Sequence, residues 1–207
     1  MPIGGTSLLL RVLQTIGMVE AIGEVVLAVP AGAQKSARAE ANAAGLQIPV
    51  KIIEGGAERQ DSVRLALALT SVEADLIVVH DAARPFATLT MFSACIAAAA
   101  QSGGAVVAIP AADTLKRIEG RTIVATVPRE NLWQAQTPQA FRREPLVRAH
   151  GWAMRERITV TDDAYLVERL GMTVQVVEGS ALNLKITTPD DLRMAQAIAA
   201  SLKKTTG

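Results

Sequence analysis

The chain has 207 residues, half of them hydrophobic, a formal net charge of +1, and only two Trp, one Tyr and three Phe. That length suits one large domain with a core of Ala, Val, Leu and Ile, which fits helix-rich α/β packing better than an aromatic β-sandwich. With no basic run longer than a pair such as Lys203-Lys204, the composition argues against nucleic acid or an anionic membrane as the main partner.

Apolar runs of strand length alternate with helical patterns along most of the chain. Residues 8–16 read as a helix and 24–29 as a strand ending at Pro30. Residues 34–44 read as a helix closing at Gly45, and 49–53 as a strand running into Gly55-Gly56. A helix is predicted over 58–69, a strand over 75–79, a helix over 88–100 and a strand over 105–109. Strands apolar on both faces, alternating with helices, predict a mainly parallel sheet covered by helices. The rhythm breaks at Pro110. Residues 114–127 read as two β-rich runs around Glu119-Gly120, a hairpin projecting from the body. A lone hairpin is marginal in water, so this arm is expected to pack on a partner subunit. Helices over 142–150 and 162–170 and a strand over 173–177 follow. In the last helix Thr188 caps, Pro189 takes the first position, and Asp190 and Asp191 favour the positive end.

Cys95 stands alone in an apolar helical run and reads as a core residue of a chain from a reducing compartment, hence cytoplasmic. The start lacks a basic, cleavable leader pattern, and the apolar stretch 91–112 is interrupted by Gln101-Ser102-Gly103-Gly104, so neither a signal peptide nor a membrane span is read.

The chemistry concentrates in a few segments. After the strand ending at Val79, His80-Asp81-Ala82-Ala83-Arg84 places one carboxylate and one guanidinium in a loop at a strand's carboxyl end, where open α/β sheets bind ligands. Asp81 can accept from sugar or polyol hydroxyls, and Arg84 offers a fork for phosphate. The alternative is an ion pair that merely fixes the loop. Gly55-Gly56-Ala57-Glu58-Arg59-Gln60-Asp61-Ser62 lets a flat group approach the backbone, with Ser62 near a base or sugar edge; an ordinary turn is an even alternative, and the pattern is not a Walker or dinucleotide fingerprint. Thr114 and Arg129 lie at the two roots of the arm. Gln136-Thr137-Pro138-Gln139 reads equally as a structural turn or a ligand contact. Lys185, in the apolar run Asn183-Leu184-Lys185-Ile186-Thr187, reads either as an exposed edge lysine or as an amine at a strand end aimed at phosphate. His80 and His150 suggest neither a metal site nor a triad, no cluster has zinc spacing, and Asp162-Asp163 reads as helix capping.

Together, GGAERQDSV (55–63), VHDAARPF (79–86), ADTLKR (112–117), LWQAQTPQAF (132–141), TDDA (161–164) and VEGSALNLKITTPDDL (177–192) resemble the 2-C-methyl-D-erythritol 4-phosphate cytidylyltransferases of the non-mevalonate isoprenoid pathway. The resemblance spans essentially the whole chain and implies a Rossmann-like fold of the nucleotide-diphospho-sugar transferase type, as a single domain. It implies transfer of a cytidylyl group from CTP to the methylerythritol phosphate, with magnesium carried mainly on the CTP phosphates and pyrophosphate released. It places Gly55, Gly56, Ser62, Asp81 and Ala82 on the nucleotide, and Asp81, Arg84 and Thr137 on the polyol substrate. Thr114 and Arg129 would reach a partner's site in a homodimer clasped by residues 112–132 and bind the substrate phosphate there, and Lys185 would stabilise charge at the α-phosphate.

The family pattern opens with a strand and a loop of the form P-A-A-G-x-G-x-R, then P-K-Q; Met1 to Leu9 carry neither. About 25 residues, a strand plus a loop, have no counterpart. An apolar cleft in the sheet is therefore expected, and with it two other readings: a pentitol-phosphate cytidylyltransferase, or a non-catalytic dimeric protein retaining nucleotide binding.

Overall fold

The computed structural model describes residues 2–205, with side chains through Leu202, so the Lys203-Lys204 pair lies outside the described side chains. A short hairpin, β1 (Pro2–Ile3) and β2 (Thr6–Ser7), leads into α1 (Leu8–Ile16), which Ser7 caps by accepting from the Leu10 N–H at 3.0 Å. Then come β3 (Val25–Val29), α2 (Gln34–Ala44), β4 (Val50–Glu54), α3 (Arg59–Leu67), β5 (Leu76–Val79), α4 (Leu89–Ser102) and β6 (Gly104–Pro110). The arm is β7 (Leu115–Glu119) and β8 (Thr122–Val127), followed by β9 (Trp133–Arg142), α5 (Arg143–Glu156), α6 (Asp163–Arg169), β10 (Gln175–Glu178) and α7 (Pro189–Thr205).

The main sheet has the order β10-β6-β9-β5. β10 runs parallel to β6, whereas β9 is antiparallel to both β6 and β5. β9 is the element that the sequence pattern conceals. Gln136-Thr137-Pro138-Gln139, legible as a turn, lies inside a ten-residue strand, where the Thr137–Pro138 peptide is cis. Pro138 cannot donate to a ladder, and the β6–β9 register shifts beside it, between Val106 and Ala108.

Successive residues of these strands enter opposite cores, as the strand period of two demands. Val107, Ala105 and Ala140 pack on the side of α1 and α4 with Phe92 and Cys95. Their neighbours Val106 and Phe141 pack on α5 and α6 with Leu146 and Leu166. Both faces are covered, which explains the near-continuous apolar runs. α7 seals a third cluster by burying Ala195 and Ala199 against Ile3 and Phe86. At its start the Thr188 hydroxyl accepts from the Asp191 N–H at 3.1 Å, the cap expected from the sequence, and Asp191 makes it reciprocal by accepting from the Thr187 and Thr188 N–H groups.

Among the described residues β3 pairs only with β4, in parallel, as a sheet of its own, and β5 pairs only with β9. Between the facing edges of β3 and β5 lies a cavity of about 910 Å³, lined by Val25–Ala28 on one side and Leu76–Val79 on the other. The cleft runs up to Arg59, Ser62, Asp81 and Ala82, the loops at one end of these strands. The arm forms a separate two-stranded sheet whose Gly120 has φ +57°, a left-handed value that the tight turn requires. Among the described residues no helix is long and apolar enough to cross a membrane.

Candidate active site

β5 ends at Val79, and the next residues fold over the cleft. The Arg84 N–H donates to the Asp81 carbonyl at 2.9 Å, which closes the loop on itself. From β9, the Thr137 hydroxyl oxygen accepts from the Asp81 N–H at 3.0 Å and lies 2.9 Å from His80 Nδ1. The hydroxyl therefore donates to Nδ1, and Nε2 carries the ring proton, 3.2 Å from the Arg84 carbonyl. His80 packs against Phe92, and burial pushes its pKa down to about 4. Thr137 is buried, with its hydroxyl committed to fixing Asp81 and His80.

The segment that carries Lys185 is not a strand. Residues 184–187 are irregular and are clasped to the Asp81 loop, the Ile186 N–H donating to the Ala83 carbonyl at 2.9 Å. The apolar run Leu184 to Ile186 packs under α7 rather than in a sheet, which is why it imitates one in sequence. This clasp brings the amine and the guanidinium to one place. Lys185 Nζ lies 2.8 Å from Asp81 Oδ2, and Arg84 Nη1 donates to the Asn183 carbonyl at 2.7 Å. Asn183 is itself buried, donating to Gln136 and to the Thr137 carbonyl at 3.0 Å each.

Asp81 also receives Arg59 Nε at 2.9 Å on its other oxygen. Burial alone would raise the Asp81 pKa, but the hydrogen bond from Lys185 and the charge of Arg59 outweigh it and hold the carboxyl below its ordinary value. The Arg84 pKa is lowered by burial, only partly offset by Asp81, and the guanidinium stays charged. Sequence reasoning placed Arg59 in a loop motif without assigning it to the site. Its length and its position one turn before Ser62 were the available signal.

The glycine loop is closed by the near approach of its backbone to Asp61 and Ser62. A Cβ on Gly56 would sit 2.2 Å from Asp61 Cβ and 3.2 Å from the Asp61 carbonyl carbon, and one on Gly55 would sit 2.7 Å from Ser62 Oγ. The Ser62 hydroxyl accepts from the Gly56 N–H at 3.1 Å and donates to the Glu58 carbonyl at 3.2 Å, so in this state it shapes the loop. Ser62, Asp81 and Ala82 face the same cavity. Thr114 and Arg129 stand apart on the exposed root of the arm, where the register Leu115↔Val127 sets them at one end and Arg129 donates to the Ala112 carbonyl. Among the described residues no hydrogen bond or ion pair joins either to Asp81, Arg84 or Lys185.

Two other readings of the sequence gain physical detail. Cys95 is buried, its thiol pushed up to about 12 by burial, and it donates towards the Ala105 and Pro138 carbonyls: a core residue, unsuited to nucleophilic work. Asp162 caps α6, accepting from the Tyr165 N–H at 3.2 Å. Asp163 instead is buried and bridges His150 and Arg59, a role that capping did not foresee.

A family model, IspD: 2-C-methyl-D-erythritol 4-phosphate cytidylyltransferase, matches residues 1–201. The chain belongs to this family. The enzyme so named from Deinococcus radiodurans is 44% identical over 196 residues, covering 95% of this chain and 79% of that one. A bifunctional enzyme IspD/IspF from Anaeromyxobacter dehalogenans is 42% identical over 200 residues, 95% of this chain and 51% of that one. Among solved structures, the Thermus thermophilus cytidylyltransferase superposes with a TM-score of 0.82 at 38% identity, covering 96% of this chain and 91% of that chain. The 4-diphosphocytidyl-2C-methyl-D-erythritol synthase of Anaerococcus prevotii superposes at 0.89 with 27% identity, covering 97% and 92%. As a member of the IspD family the chain is a nucleotidyltransferase of the isoprenoid pathway, with CTP and the methylerythritol phosphate as its substrates.

Proposed function

We propose that the Asp81–Arg84 loop and Lys185 form the seat of cytidylyl transfer from CTP to 2-C-methyl-D-erythritol 4-phosphate. The observation that carries this reading is the convergence of one carboxylate and two cations on the loop whose Asp81 faces the cleft, Lys185 on Asp81 and Arg84 on the Lys185 segment. Asp81, Ala82 and Arg84 take ribose and substrate hydroxyls, the Gly55–Ser62 loop takes the cytosine face, and the partner's Thr114 and Arg129 take the substrate phosphate. Thr137 holds the substrate indirectly, by fixing Asp81.

In the reaction a phosphate-monoester oxygen attacks the α-phosphorus of CTP, the α–β phosphoanhydride bond breaks, and pyrophosphate leaves with the electron pair. The attacking phosphate has its second pKa near about 6, so it is largely dianionic at neutral pH and no protein base is needed. Alignment and charge stabilisation do the rest, with the Lys185 ammonium set against the negative charge on the α-phosphate oxygens.

Magnesium fits this scheme as a passenger of CTP. Among the described residues no group of three or more His, Cys, Asp or Glu side chains is arranged to hold a metal, and Asp81 is already shared by two cations. The triphosphate would supply the oxygen ligands that magnesium prefers.

The arm completes the scheme in a homodimer. Ile118, Ile123 and Val124 are 59%, 60% and 46% exposed on a hairpin that pairs with no other sheet of its own chain. Cover by a partner would protect that surface and carry Thr114 and Arg129 to the partner's site. The lone reduced thiol and the soluble pathway substrates suit a cytoplasmic setting.

Pyrophosphate release tests the reading. Release that needs both CTP and methylerythritol phosphate supports it. Clear preference for ribitol 5-phosphate makes the chain a pentitol-phosphate enzyme, and CTP binding by calorimetry without any release makes it a binding protein.

A further inference from the structure

A continuous chain of paired polar side chains runs from the site into the core. Lys185 Nζ meets Asp81 Oδ2 at 2.8 Å, Asp81 Oδ1 meets Arg59 Nε at 2.9 Å, Arg59 Nη1 meets Asp163 Oδ2 at 2.8 Å, and Asp163 Oδ1 meets His150 Nε2 at 2.9 Å. The far end is fixed: the Asp163 and His150 side chains are 1% and 3% exposed, on α6 and α5, packed in the core between them. The near end is not, because the Lys185 side chain is 39% exposed on an irregular segment. Among the described residues Arg59, at the start of α3, alone touches both carboxylates.

We infer that Arg59 is a positioning residue that acts as the permanent counter-ion of Asp81, leaving Lys185 free to exchange Asp81 for a phosphate oxygen. The inference rests on the functional reading above for the identity of the phosphate, but not for the geometry. The physical argument is one of shared charge. A half-buried carboxylate cannot be left without a cation when its partner departs. Arg59 supplies that cation on the Asp81 oxygen that Lys185 does not use, and its attachment to Asp163 keeps the guanidinium from following Lys185 towards the anion. Burial works against a charged Arg59, yet Asp163 and Asp81 together outweigh it and raise its pKa, so the counter-ion is always charged.

Two substitutions push Lys185 in opposite directions. Arg59→Gln leaves Asp81 with Lys185 alone and locks the amine. Asp163→Asn keeps a similar shape but commits Arg59 wholly to Asp81, and so loosens the amine. The measurement is acylation of the full chain by limiting acetic anhydride, with labelling at Lys185 quantified by mass spectrometry against Lys51, whose partner Glu24 lies outside this chain of side chains. Labelling of Lys185 relative to Lys51 is expected to fall about threefold in Arg59→Gln and to rise in Asp163→Asn, a change the size of one part-exposed ion pair. Arg59→Lys is expected to stay near the wild-type ratio. An unchanged ratio in Arg59→Gln, or a shift of the same sign in both variants, overturns the inference, since a merely structural role gives no opposed signs. If Arg59→Gln does not fold, Asp163→Asn decides alone: a rise supports the inference and no rise contradicts it. In a parallel turnover assay Arg59→Gln is expected to lower kcat about tenfold while the KM for CTP stays within about twofold. A wild-type chain that releases no pyrophosphate defeats the functional reading, while the labelling ratio still reports on Arg59.

Discussion

His80 shows how a single side chain can be spent on placement. It accepts from Thr137, donates to the Arg84 carbonyl and stacks near Phe92, all as the neutral ring. Its pKa lies near 4 in the folded chain against an ordinary 6.5, chiefly through burial. The unfolded chain therefore takes up a proton that the folded one refuses, so stability is full above about pH 6.5 and falls as pH drops towards 4. The loss amounts to about 3 kcal/mol once the pH is below 4. Denaturant unfolding at pH 7 and pH 5 should show this slope, and His80→Asn, which keeps an acceptor towards Thr137, should flatten it. Gly56 makes the complementary point about backbone. A methyl group there meets Asp61 at 2.2 Å. Gly56→Ala should cost about 1–3 kcal/mol of stability and weaken CTP binding by calorimetry, because the loop must open to admit the new atom.

At the scale of elements, α4 carries the most revealing packing, since it lays Phe92, Cys95 and Ala99 against the sheet. Its Thr88 cap accepts from the Met91 N–H at 3.2 Å. Thr88→Ala should therefore destabilise the chain by about 1 kcal/mol in thermal unfolding without changing substrate affinity. The sequence showed this helix, as it showed α1 and α2, because caps, left-handed glycines and apolar spacing all act locally. It hid β9, because a strand buried on both faces and crossed by Pro138 has no period to read, and its partners β5 and β6 lie far away in sequence. The site divided in the same way. Asp81, Arg84 and the Gly55–Ser62 loop were legible from their place after strands. The shared use of Asp81 by Lys185 and Arg59, and the Asp163–His150 anchor, depend on contacts between residues as many as 104 positions apart, which no local pattern records.

The whole molecule joins a twofold-covered sheet, a cleft that ends in a charged mouth, and an arm that finds no other sheet in its own chain. If the arm clasps a second copy, Ile123→Glu on its exposed face should shift the chain from dimer to monomer in sedimentation velocity while leaving its circular dichroism unchanged; a monomeric wild type would remove the arm's role. The account as a whole turns on whether the cations gathered around Asp81 serve phosphoryl chemistry. Phosphorus NMR of CTP, magnesium and methylerythritol phosphate mixed with the chain tests this directly. The account predicts that a new diphosphate linkage and free pyrophosphate grow together, and that Lys185→Ala slows both about a hundredfold while CTP affinity changes far less. Equal rates for the two proteins would contradict it.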